Sequence, residues 1–143
     1  ALLPGFAAAA WQELGEAQEA IRQAAGELLN GARSGLGMLR AVLRRAYEEP
    51  MPQAVRTLAR LAGATVDERP GLAARCVELE RTILRLLTQT QTGVQETQRF
   101  PAAADLLTLL EALVKGQAET LEASQAAAAT FLNEDQQDHE DRA

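Results

Sequence analysis

One histidine, one cysteine and two serines are all that 143 residues offer of the side chains that most often act as nucleophiles or soft metal ligands. A lone cysteine closes no internal disulfide, which excludes a stapled scaffold. His139 is too solitary for a histidine-based zinc cluster or for paired Glu-x-x-His diiron motifs. It also stands far from any activated serine, because Ser34 and Ser124 have no nucleophile motif around them. No catalytic residue, cofactor or metal site is therefore expected, and the chain reads as non-enzymatic.

Rings are scarce too: three phenylalanines, one tryptophan and one tyrosine. Few bulky side chains mean thin packing layers, which suit a narrow helical bundle better than a thick layered α/β domain. Long apolar runs are missing as well, and nothing approaches the roughly 18–20 residues of a membrane span. The opening ALLPGFAAAAW is apolar but short, lacks a basic flank and contains Pro4 and Gly5, so it does not read as a signal peptide. The first residue is Ala1 rather than methionine, which predicts a processed or trimmed N-terminus. A net charge of −6 and a pI near 4.8 argue against nucleic acid as a partner. A cytoplasmic location is the expectation.

What the chain does have is alanine, leucine, glutamate, glutamine and arginine, residues that lose little side-chain freedom in a helix. The period of three and four is clearest from Gly71 to Gln98, where Leu72, Cys76, Leu79, Ile83 and Leu86 form a seam. Cys76, on that seam, reads as a small core residue, and the helical glutamates, Glu80 among them, read as solvent-facing. An earlier helix shows the same period through Ala7, Ala10, Leu14, Ala17, Ile21, Ala24 and Leu28, with Trp11 one position off it.

Asn30-Gly31 is a stop signal, and Ser34 is the expected N-cap of the next helix. Pro50 and Pro52 break that arm in two, since each proline removes a donor and biases its predecessor away from helix. Asp67 is the expected cap of the organising helix, and Phe100-Pro101 separates that helix from the last. The expected fold is all-α, an antiparallel four-helix-type bundle with helices at 6–29, 34–48 broken to 52–62, 69–98 and 102–132. One domain spans 1–132. A disordered acidic tail, 133–143, carries five acids against Arg142.

Three glycines in GARSGLG lack the Gly-Lys-Ser/Thr ending of a phosphate loop and read as a turn. The six arginines between Arg33 and Arg60, set against Glu48 and Glu49, are the one basic concentration. Arg33, Arg40 and Arg44 fall near one helical face with Arg45 beside them, either as a solvated surface or as a docking face for an acidic partner. The polar run Thr88 to Gln98 and the leucines that start the last helix, Leu109 and Leu110, are the candidate apolar groove. The expected function is a protein-interaction module, that is, an adaptor, a secretion-type chaperone or a regulatory subunit. A protein partner is expected, and shared seams also permit a homo-oligomer. An amphipathic coat on a granule or lipid surface is the alternative reading, and a small-molecule-sensing bundle of a receptor is the third.

Overall fold

The computed structural model describes the backbone of residues 4–31, 36–96 and 102–142, and the side chains of 8–31, 36–96 and 104–130. It contains five helices: α1 (Pro4–Gly31), α2 (Leu39–Glu48), α3 (Pro50–Ala62), α4 (Arg69–Glu96) and α5 (Ala102–Arg142). Among the described residues α1 packs against α2, α3 and α5, and α4 packs against the same three, but α1 and α4 do not meet. They are therefore diagonal, with the broken α2–α3 arm on one side and α5 on the other. This is the expected all-α bundle of four arms.

The break in the second arm is a single residue. Glu49 holds φ −105° and ψ −78°, its N–H still reaches Arg45 O at 3.0 Å, and α3 begins on the next residue. Both prolines fall in the first turn of α3, where the missing donors have no intrahelical partner to lose. The kink therefore costs less backbone bonding than the expected gap would.

Other helix ends also differ from expectation. α1 begins at Pro4, because proline's fixed φ suits a first helical position. The N-cap position of α2 is Met38 rather than Ser34, since Gly37 turns the chain at φ +55° just before it. At the start of α4, Thr65 Oγ1 donates to Glu68 at 2.9 Å and Arg69 N–H reaches Thr65 O at 3.2 Å, so Asp67 is not the hydrogen-bonding cap. Ser34 itself and the Phe100-Pro101 turn lie outside the described residues. α5 is drawn as helix to Arg142. No glycine or proline follows Gly116, so nothing in the backbone chemistry stops the helix.

The predicted seam of α1 holds at Ile21 and Leu28 but not at its alanines. Trp11, Gln18, Ile21, Ala25, Leu28 and Leu29 are buried, while Ala17 and Ala24 are exposed. The period is right, and Trp11, Gln18 and Ala25 take the inward places expected of Ala10, Ala17 and Ala24, each one residue later. Trp11 is only 2% exposed and belongs to the core. Glycines on α1 serve close approach: a β-carbon on Gly26 would stand 3.0 Å from the Tyr47 ring of α2. On α4 the seam holds, and it widens to include Glu80, Leu87, Thr90 and Val94.

The core has two parts. The larger joins Ile21, Leu43, Met51, Ile83, Leu87 and Leu110 with their neighbours. The smaller gathers Trp11, Leu58, Leu61, Ala73 and Cys76, with Ala127 and Ala128 of α5 against it.

Candidate functional site

Between the two apolar clusters every arm contributes a buried polar residue. Gln18 lies between Leu14 and Ile21 on α1, Thr57 between Ala54 and Leu58 on α3, and Glu80 between Cys76 and Ile83 on α4. On α5, Gln117, Thr120 and Ser124 occupy the interval from Leu113 to Ala127. Thr57 and Thr120 return their hydroxyls to their own helices, at Gln53 O and Gly116 O. Two contacts cross between helices. Gln18 and Gln117 exchange side-chain hydrogen bonds at 2.8 and 3.0 Å. Ser124 Oγ donates to Glu80 Oε1 at 2.9 Å, and Cys76 Sγ donates to the same oxygen at 3.4 Å.

Glu80 is fully buried, and its Oε2 has no hydrogen-bond partner. Burial raises its pKa to about 7, because the anion loses its hydration and the two donors from Ser124 and Cys76 only partly replace it. The Cys76 thiol is pushed up as well, first by burial and then by the Glu80 charge. It is therefore a thiol rather than a thiolate, and a poor nucleophile. No third metal-ligating side chain joins these two among the described residues.

The expectation that Glu80 faces solvent is corrected here. The signal was present in the spacing: Glu80 stands four residues after Cys76, three before Ile83 and seven before Leu87, on the seam's own face. Charge outweighed spacing in the sequence reading. Ser124 had no motif of its own, and its role appears only because α5 sets it beside α4.

The arginines proposed as a docking face have different surroundings. Arg40 is half-buried and donates from Nη1 to Leu29 O at 2.8 Å, closing the C-terminal end of α1. Arg45 is exposed and pairs with Glu49 at 3.3 Å, while Arg44 is exposed on the same helix. Arg33 lies outside the described residues. Leu110 is fully buried in the larger cluster and presents nothing to a partner, so its place at an open groove is corrected; Leu109 is 54% exposed. One residue of helix turns a side chain by about 100°, which is why adjacent leucines take opposite fates.

A concave surface lies between α2 and α4. It is an open groove of about 770 Å³ along the outer face of α4, floored by Leu39, Leu84 and Gly93 and edged by Arg81, Arg85 and Glu96. Leu39 fits there because Gly93 has no side chain, and its methyl groups fill the space a β-carbon would take. The groove includes Thr88, Gln89 and Thr92. The polar half of α4 thus takes part in a concave surface, but beside α2 rather than beside the leucines of α5.

No helix among the described residues is long and apolar enough to cross a membrane. The chain matches no family model, and no curated protein or solved structure is similar to it.

Proposed function

We propose that this chain is a non-enzymatic interaction module that holds a helix of a protein partner in the groove between α2 and α4. The observation that carries this reading is the groove itself: an apolar floor with charged edges, spanning Arg81 to Glu96. At 1.5 Å per residue that span is about 22 Å, the length of a four-turn helix. Amphipathic helices dock in such grooves through residues spaced by three and four. The interior supports a binding role over a catalytic one. Its two reactive side chains, Glu80 and Cys76, are sealed in the polar layer where no substrate reaches them. A cytoplasmic setting belongs to the same proposal.

A granule coat needs apolar faces turned outward. The large apolar side chains exposed among the described residues are Met38, Val66 and Leu109, on three separate segments, which favours the groove over a coat. The test is a photo-crosslinking residue placed at Thr88 in the native cell, with one at the exposed Gln125 as control. A protein adduct specific to position 88 supports the reading; labelling no greater than at position 125 overturns it.

A further inference from the structure

The groove face of α4 is complementary to itself. Its residues recur at three- and four-residue steps from Arg81 to Glu96, so they form one stripe along the helix. Its charge is polarised. Arg81 and Arg85 are exposed at one end and Glu96 at the other. The ion pairs among the described residues are Arg22–Glu19 and Arg45–Glu49, so none of these three charges is paired among those residues.

Turning a second α4 antiparallel about an axis between Thr88 and Gln89 carries the stripe onto itself. Arg81 of each copy then faces Glu96 of the other. The half-buried Leu84 of each copy faces the other's Gly93, where that copy's own Leu39 already lies, so the middle of the interface is apolar. Arg85 faces Thr92, so no like charges meet. A two-fold interface uses the same patch twice, and here it places opposite charges at both ends and apolar side chains between them.

We infer that the helix held in the groove is α4 of a second copy of this chain, in a two-fold symmetric dimer. This rests on the groove being the interaction surface and names its occupant. A four-turn helix pair is a small interface, so dimerisation is concentration-dependent.

The test is sedimentation equilibrium of the full chain across a concentration series, with Arg81→Glu and Glu96→Arg variants. The wild type is expected to rise from 15.4 kDa toward twice that mass. Each variant alone sets like charges opposite one another at both ends and is expected to weaken self-association by about tenfold or more. Mixing the two variants restores opposite charges at both ends, so the mixture is expected to recover the dimer. Circular dichroism checks that both exposed substitutions leave the helices intact. A wild type that stays monomeric, single variants that dimerise like wild type, or a mixture that fails to recover would each overturn the second-copy inference. An adduct at Thr88 to a different protein, with the pure chain monomeric, would leave the groove reading standing and remove only this one.

Discussion

Gln18 and Gln117, ninety-nine residues apart, satisfy one another: each side-chain amide donates to the other's oxygen, at 2.8 and 3.0 Å, in a fully buried setting. A reciprocal pair of this kind fixes which turn of α1 faces which turn of α5, because sliding either helix by a turn strands two amides in an apolar core. Replacing Gln18 alone by leucine leaves the Gln117 amide buried without its partner and is expected to cost about 1–3 kcal/mol. Replacing both by leucine removes the unpaired group and should recover most of that loss. Urea unfolding of the two single variants and the double variant measures this as a double-mutant cycle, and a double variant that equals the sum of the singles would count against the pairing.

Glu80 gives the bundle a pH dependence of definite sign. Its pKa is raised from 4.5 to about 7 on folding, so the folded state holds a proton that the unfolded state has released. Stability from this group is fully present below about pH 4.5, declines as pH rises through about 7, and is then lost, a change on the order of 3 kcal/mol. Glu80→Gln keeps an acceptor for Ser124 and cannot ionise. It is expected to flatten that decline and to be more stable than wild type at pH 8, as read by chemical unfolding at pH 5 and pH 8. Parallel profiles for the two proteins would show that Glu80 does not titrate in this window.

Cys76 should be chemically silent in the native bundle. Its thiol is fully buried and its pKa is pushed up by burial and by Glu80. A colorimetric disulfide reagent at pH 8 is expected to label it only as fast as the bundle opens, and at once in denaturant. Rapid labelling without denaturant would mean that the smaller cluster opens on its own.

Of Arg40 and Arg44, only Arg40 is expected to matter for folding. Arg40→Ala removes the donor on Leu29 O and the packing of its stem, at a cost of about 1–2 kcal/mol. Arg44→Ala, exposed and without a partner among the described residues, should stay within about 0.5 kcal/mol of wild type. Thermal unfolding of the two variants side by side is sufficient, and equal losses would remove the capping role.

The same contrast separates two neighbouring leucines. Leu110→Asp places a charge in the larger cluster and is expected to unfold the protein, whereas Leu109→Asp should leave it folded. Far-ultraviolet circular dichroism distinguishes the outcomes directly.

Helix number, order and the antiparallel four-arm arrangement were legible in the sequence because the three-four period is strong and the breaks at Asn30-Gly31 and Pro50 are sharp. The phase of α1 was not. Following its alanines put the seam on Ala17 and Ala24, whereas following Trp11 and Leu14 through Gln18 to Ile21 would have given the buried face. A glutamine at a core position hides such a face, since its partner lies on another helix. Glu80 was hidden for the same reason. The groove was only half legible. The polar run on α4 marked a face that differs from the rest of the helix, but pairing it with Leu39 required knowing that α2 leans on α4 at Gly93.

Both interhelical partners of the polar layer, Gln117 and Ser124, come from α5, which follows the other four helices in the chain. A chain leaving the ribosome presents Gln18 and Glu80 while the residues that complete them are still untranslated. Until α5 docks, the four earlier helices have two polar groups that prefer water to an apolar interior. Final closure of the bundle thus waits on the synthesis of α5, and a chain cut short before Gln117 carries its own mark of incompleteness.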